Sequence, residues 1–221
     1  MKVSILGGTG DLGKGLALRL AESSEVIIGS RDTEKAKTIA EQYRAEFKDK
    51  RGSEPTITGM QNSEAVADGD YIIISIPYEV LPQFLDGLQI DPSKTVIVPV
   101  VPMKKVKEGF LYVPYQVEGQ QISAAELVKF KTKGQRIASA FHTVPAMRLA
   151  DLGQSLDYDV MVAADERETY DRVSQLVKTI AGLKPIYAGK LYTSRYLEPL
   201  TPLLLNVAIN NKLHAPSLKI V

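Results

Sequence analysis

The chain has 221 residues, 44% of them hydrophobic and 24% charged, enough for one large domain or two modest ones around a buried core. Its 27 Lys and Arg nearly balance 26 Asp and Glu, so no net field exists to recruit nucleic acid or an anionic membrane. The absence of cysteine excludes disulfides, thiolate nucleophiles, zinc-thiolate centres and iron–sulfur clusters, and with His142 and His214 as the two histidines no metal site is expected.

Residues 2–6 read as a buried strand, residues 10–22 as a helix with Leu12, Leu16 and Leu20 on one face, and residues 25–28 as a second strand. Asp32 then caps a helix to about residue 47, followed by an exposed polar loop and a short strand at 56–58. Residues 71–76 and 95–101 are continuous apolar runs, the mark of central parallel strands, with a helix at 79–88 between them. A helix at 123–131 and a strand at 136–141 complete a doubly wound sheet. Beyond residue 142 the pattern changes: a strand at 159–163, a helix at 166–180, a short strand at 185–188, and a largely apolar helix at 192–211 interrupted by Pro199 and Pro202. The expected fold is α/β, a Rossmann-type doubly wound, mostly parallel sheet (1–142) with a small α/β C-terminal domain (143–221).

The longest apolar runs fall far short of the roughly 20 residues of a membrane helix. The first strand begins at Lys2 and leaves no room for a signal peptide, so a cytoplasmic protein without membrane partners is expected.

Gly7-Gly8-Thr9-Gly10-Asp11-Leu12-Gly13 carries GxGxxG at Gly8, Gly10 and Gly13, directly after a strand and at the start of a helix. In that setting Gly8 permits the tight turn, Gly10 lets backbone approach a pyrophosphate, and Gly13 allows close helix–strand packing, while free N–H groups at the helix start attract the anion. Dinucleotide binding follows. At the end of the second strand, where an acid would mark NAD, the chain reads Gly29-Ser30-Arg31, with Lys35 one turn along the next helix. A hydroxyl, a guanidinium and an ammonium suit a 2′-phosphate, so NADP(H) is favoured. Asp32 fits as the helix N-cap.

Ligands in such sheets lie beyond the carboxyl ends of the strands, where Ile76-Pro77, Pro99-Val100-Val101-Pro102 and His142-Thr143-Val144-Pro145-Ala146 should converge. These apolar, proline-stiffened ends suit a flat nicotinamide and a second ring stacked on it, and they exclude water from a hydride transfer. His142 can be read as a proton donor, a hydrogen-bonding positioner or a satisfied loop residue. His214 reads as structural. Residues 104–121, with Lys104, Lys105 and Lys107, read as a solvated turn rather than an anion-binding rim. No nucleophile elbow or carboxylate cluster stands out, so the expected chemistry is redox, carried by the cofactor.

The run from Gly7 to Ala17, together with Gly29-Ser30-Arg31, His142-Thr143-Val144-Pro145-Ala146 and Leu200-Thr201-Pro202-Leu203, resembles the coenzyme F420:NADP oxidoreductases over nearly the whole chain. That archaeal-type resemblance implies reversible hydride transfer between reduced coenzyme F420, a 5-deazaflavin co-substrate, and NADP, with no covalent intermediate. It implies that Thr9, Gly10, Asp11, Leu12, Ser30, Arg31, Lys35, Ile76, Val101 and Ala146 contact NADP, and that His142, Val144, Arg195 and Thr201 surround and position the deazaflavin. Pro77 belongs with the nicotinamide-end residues, and Arg195 or His142 is the candidate to stabilise negative charge on the oxidised deazaflavin. Pro199 departs from the family, where a serine is familiar. The C-terminal domain is expected to cover the deazaflavin and, through Leu203, Leu204, Leu205 and Val207, to pair copies into a homodimer or higher homo-oligomer. Two other readings compete: an NADPH-dependent imine reductase of pyrroline-carboxylate type, needing a proton source and a carboxylate site, and a non-catalytic NADP(H) sensor.

Overall fold

Two apolar stretches set the centre of the molecule: Tyr71–Ile74 and Thr95–Val98 are buried along their whole length, as strands covered on both faces must be. The computed structural model describes residues 1–221. In chain order the elements are β1 (Lys2–Leu6), α1 (Asp11–Leu20), β2 (Glu25–Ser30), α2 (Thr33–Arg51), β3 (Ile57–Gln61), α3 (Asn62–Asp68), β4 (Tyr71–Ile74), α4 (Leu81–Leu85) and β5 (Thr95–Val98). There follow β6 (Met103–Val106), β7 (Gly109–Tyr112), β8 (Tyr115–Val117), β9 (Gln120–Ile122), α5 (Ala124–Thr132), β10 (Ile137–Ser139) and α6 (Ala146–Ala150). The chain ends with β11 (Tyr158–Ala164), α7 (Arg167–Lys178), β12 (Leu183–Gly189), a 3₁₀ turn (Leu191–Thr193), α8 (Ser194–Leu197) and α9 (Leu200–Asn211).

Eight strands form one sheet in the order β12-β11-β10-β5-β4-β1-β2-β3. Every neighbouring pair is parallel except β10 and β11. The doubly wound Rossmann-type sheet is therefore present, and its order reverses between β1 and β4, the switch point at which such sheets bind ligands. Strands β11 and β12 extend the same sheet, so Ala138 and Phe141 share a core with Val160 and Leu176 across the expected boundary at residue 142.

Two expectations need correction. Residues 104–121 do not form a plain solvated turn: they lie largely in two antiparallel hairpins, β6–β7 and β8–β9, outside the main sheet. The apolar helix expected at 192–211 is divided into the end of the 3₁₀ turn, α8 and α9. Pro199 occupies the N-cap of α9 and Pro202 its first turn, positions whose N–H groups lack an intrahelical partner in any case.

Long-range polar contacts fix the helices that flank the site. Arg19 of α1 is buried, and its guanidinium donates to the carbonyls of Leu149 at 3.0 Å, Arg148 at 3.3 Å, Asp151 at 2.6 Å and Gln154 at 2.8 Å, clasping α6 and the turn after it. Glu198, also buried, accepts from the N–H groups of Ala124 at 3.1 Å and Ala125 at 3.3 Å and from the Tyr112 hydroxyl at 2.9 Å. It thereby satisfies the start of α5 and anchors the segment between α8 and α9. No helix is long and apolar enough to cross a membrane.

Candidate dinucleotide and deazaflavin site

The phosphate loop is built as its glycines demand, with one reassignment. The left-handed residue is Gly7, at φ +73°, whereas Gly8 is held by a lack of room: a Cβ there would lie 2.8 Å from the Ile5 carbonyl oxygen. The tight-turn role expected of Gly8 thus belongs to Gly7. Gly13 packs directly on Gly8, since a Cβ would come within 2.6 Å of the Gly8 Cα, and a Cβ on Gly10 would meet only the Gly7 carbonyl at 3.8 Å. Backbone at Gly10 is therefore open to a ligand, and the first N–H groups of α1, which begins at Asp11, lack intrahelical partners, as at any helix start. From α2 the buried Tyr43 hydroxyl donates to the Gly8 carbonyl at 3.1 Å, and burial pushes that phenol up to about 12.

At the end of β2, Arg31 and Lys35 are exposed and form no ion pair. Asp32 is indeed the N-cap, its carboxylate accepting from the Lys35 N–H at 3.1 Å, and the Ser30 hydroxyl accepts from the Asp32 N–H at 3.2 Å. Beside Arg31 a shallow cavity of about 350 Å³ is lined by Gln61, Asn62, Ser63 and Phe84. Asn62 is buried and its Oδ1 has no hydrogen-bond partner. Two free cations next to a cleft with an unmet acceptor fit a phosphorylated ribose and its base.

The largest cavity, about 750 Å³, runs along one face of α9. Thr201, Leu204, Leu205, Ala208, Ile209 and Lys212 line it at helical spacing, a track of about 16 Å at roughly 1.5 Å of rise per residue. Opposite stand Asp11 and Leu12 of α1, Pro99 and Val101 after β5, Met103 and Phe110 of the first hairpin, and the turn from Phe141 to Met147. A second cavity of about 330 Å³ contains Ile76 and Pro77, and Pro99, Val101 and Met103 line both. Val144 and Ala146 lie on the wall of the larger one.

Phe141, buried, adopts φ +71°, a strained conformation for a bulky residue that sharply redirects the chain after β10. The turn it makes is held from the C-terminal side: Thr201 Oγ1 donates to the His142 carbonyl at 2.8 Å and Ser217 Oγ to the Thr143 carbonyl at 2.7 Å. The His142 ring is buried, with Nε2 3.3 Å from Ser139 Oγ. Burial pushes its pKa down to about 4, with the Val98 carbonyl opposing. Neutral at ordinary pH and occupied by protein groups, His142 has the geometry of a positioning residue rather than a proton donor.

Arg195 is not brought to this cavity. Its guanidinium forks onto Glu126, with Nε at 2.7 Å and Nη2 at 2.8 Å from the carboxylate oxygens, and it stands outside the lining of the large cavity. The role implied for it on the deazaflavin is corrected accordingly. His214, read from sequence as structural, is exposed and lies on the cavity wall with Leu213, Ala215 and Pro216. The sequence reading also passed over Met103, Phe110, Met147 and Ile209 as lining residues; for Leu204, Leu205, Ala208 and Ile209 the signal was the i, i+1, i+4, i+5 spacing of apolar residues along α9. No group of three or more His, Cys, Asp or Glu is placed to hold a metal.

Comparison with known proteins gives the same outline. The profile of a family described as NADP oxidoreductase, coenzyme F420-dependent, matches residues 2–102. The chain is 36% identical to the F420-dependent NADP reductase of Methanocaldococcus jannaschii, covering 100% of this chain and 98% of that one. It is 35% identical to the F420-dependent NADP reductase of Methanothermobacter marburgensis, with coverage of 100% and 98%. Its fold superposes on a crystal structure from Arthrobacter sp. FB24, assigned to the same group, with a TM-score of 0.75 at 20% identity over 100% of this chain and 99% of that one. The phosphate loop, the free cations beside it and the apolar cavity along α9 are thus features of a chain that belongs to the F420-dependent NADP reductase family.

Proposed function

We infer that this protein is an oxidoreductase that transfers hydride reversibly between reduced coenzyme F420 and NADP. The observation that carries the reading is the meeting of two cavities at Pro99, Val101 and Met103, one opening toward the phosphate loop through Asp11 and Leu12, the other containing Ile76 and Pro77. Two flat rings can be stacked there with C5 of the reduced deazaflavin about 3 to 3.5 Å from C4 of the nicotinamide. The substrates supply the redox chemistry: hydride carries two electrons and one proton to NADP, and the second proton of the reduced deazaflavin leaves to solvent.

The chain's own residues do the rest. Thr9, Gly10, Asp11, Leu12 and the backbone up to Gly13 hold the pyrophosphate, and Ser30, Arg31 and Lys35 hold the 2′-phosphate. Ile76, Pro77, Val101 and Ala146 frame the nicotinamide. Val144 and Thr201 bound the deazaflavin, while His142 keeps the turn between them in place. Apolar walls exclude water, which keeps the hydride on the direct path. An imine reductase would need a proton donor and a carboxylate site, and neither neutral His142 nor Glu126-bound Arg195 offers one.

The chain works in the cytoplasm, belongs with the archaeal-type members, and uses residues 143–221 as a unit that covers the deazaflavin. The outward face of α9, with Leu203 56% and Val207 39% exposed, pairs with a second copy; light scattering that finds a monomer across micromolar concentrations refutes this. The activity is tested by mixing the protein anaerobically with NADP and reduced coenzyme F420 and following the absorbance of oxidised deazaflavin, with NAD as the control. Rapid turnover with NADP alone supports the reading. Tight NADPH binding without turnover overturns it in favour of a sensor.

A further inference from the structure

The hairpin β6–β7 carries Met103, which lines both cavities, and Phe110, which lines the larger, yet it is no part of the main sheet. An isolated two-stranded ribbon is at best marginally stable in water, so something must fix its position. Tyr112 holds one end through Glu198, and Asn206 on α9 holds the other. Its Oδ1 accepts from the Phe110 N–H at 2.7 Å and its Nδ2 donates to the Phe110 carbonyl at 2.8 Å, so one side-chain amide meets both backbone groups as a third strand would. The assignment of its O and N atoms is self-consistent, because the flipped amide would set two donors and two acceptors against each other. The hairpin is shaped to receive it: Gly109 is buried at φ +138°, and a Cβ there would overlap Asn206 Oδ1. Asn206 is not itself among the residues that line either cavity.

We propose that Asn206 is a positioning residue for hydride transfer, acting through Phe110 to hold the Met103 edge of the cavity against the stacked rings. This rests on the assigned F420:NADP reaction. Hydride transfer is steep in donor–acceptor distance, and a misplacement of about 1 Å can cost on the order of a hundredfold in rate. Moving the hairpin relative to α9 changes that distance without touching the phosphate loop or Arg31.

Two substitutions disturb the contact from opposite sides: Asn206→Asp, which keeps the acceptor and turns the donor into a carboxylate facing the Phe110 carbonyl, and Gly109→Ala. The readouts are single-turnover hydride transfer, the primary isotope effect with NADPH deuterated at C4, the Kd of NADPH, and amide exchange at Phe110. Expected for each variant is a loss of about tenfold to a hundredfold in the transfer rate, a changed isotope effect, a Kd within about twofold of wild type, and faster exchange at Phe110. The double variant should lose little more than either single one. Variants that melt at lower temperature, or exchange faster at Phe110, but keep the wild-type transfer rate and isotope effect when folded overturn the proposal. A wild-type protein that binds NADPH yet transfers no hydride overturns the assigned reaction and this role with it, while protection at Phe110 then still reports the contact itself.

Discussion

The Thr201 hydroxyl and the His142 carbonyl, 2.8 Å apart, join the first turn of α9 to the turn that follows β10. Both residues line the large cavity, so the bond sets how far one wall stands from the other. Replacing Thr201 with Val keeps the shape and removes the donor. Hydride transfer should fall about tenfold, with a stability loss of ~1 kcal/mol and NADPH affinity unchanged. Stopped-flow kinetics alongside urea unfolding decide it, and an unaltered transfer rate rejects the role.

Arg31 and Lys35 are free of protein partners and should be felt by the 2′-phosphate alone. Arg31→Ala should weaken NADPH binding by about 10- to 100-fold and leave NADH binding nearly as it was. Calorimetric titration of both nucleotides tests this. Equal losses for the two would place Arg31 elsewhere. Asp32→Ala should behave in the opposite way, costing ~1 kcal/mol of stability through the lost cap and little affinity.

His142 titrates near 4 in the folded chain because burial disfavours its charged form. A base whose folded pKa is lowered stabilises the fold above its ordinary value of about 6.5 and loses that contribution as pH falls toward 4. Between these limits roughly 3 kcal/mol is at stake. Denaturant curves at about pH 7 and pH 4.5, for wild type and His142→Asn, should show a distinctly smaller pH effect in the variant; identical slopes would mean that the imidazole is hydrated. Above about pH 6 the protonation of His142 should leave no inflection in the rate profile.

Glu198 presents the reverse sign. Burial holds its carboxyl up at about 8, against the pull of the Ala124 and Ala125 N–H groups and the Tyr112 hydroxyl. A raised folded pKa gives stability that is complete below the ordinary value and is lost as pH climbs through 8. Glu198→Gln should therefore gain on wild type by about 1 kcal/mol between about pH 7 and pH 8. If the difference between the two proteins does not change over that range, Glu198 is already ionised.

The tail after α9 carries Leu213, His214, Ala215 and Pro216 along the cavity and is tied down by Ser217 on the Thr143 carbonyl and by the Ile220 N–H on the buried Asp159 carboxylate at 2.6 Å. Ending the chain at Lys212 should raise the KM for the deazaflavin about tenfold and leave that for NADP within about twofold. Steady-state kinetics with each substrate varied in turn is sufficient, and a matched rise in both constants would point to general unfolding.

Much of this arrangement is written locally. The glycine loop, the Asp32 cap, the apolar runs of β4 and β5 and the cation pair at Arg31 and Lys35 all follow from residues within a few positions of one another. What escaped was set by partners far away in sequence. Nothing in the pattern of residues 158–164 states that β11 runs against β10, because strand direction is decided by the connection and the packing rather than by side-chain period. Short ribbons such as β6–β7, with Lys104 and Lys105 exposed, look like polar loop until Asn206 supplies their missing edge. Arg195 was placed by the family resemblance, but Glu126, 69 residues upstream, captures its guanidinium. Gly7 and Gly8 are adjacent and identical in type, and only the path of the backbone distinguishes the one that bends from the one that is crowded.

Arg19 ties two helices of the site together. Its guanidinium binds α1, which begins at the glycine loop, to α6, which begins at Ala146 on the wall of the large cavity, and Gly15 lets the two helices come close enough that a Cβ would lie 2.6 Å from that of Leu149. In the proposed reading, the grip on one end of the dinucleotide and the frame around the other are therefore tied into a single block. Such a block works as a gauge of fixed length: it selects a ligand by whether phosphate and ring arrive together, and it needs no hinge to bring them into line.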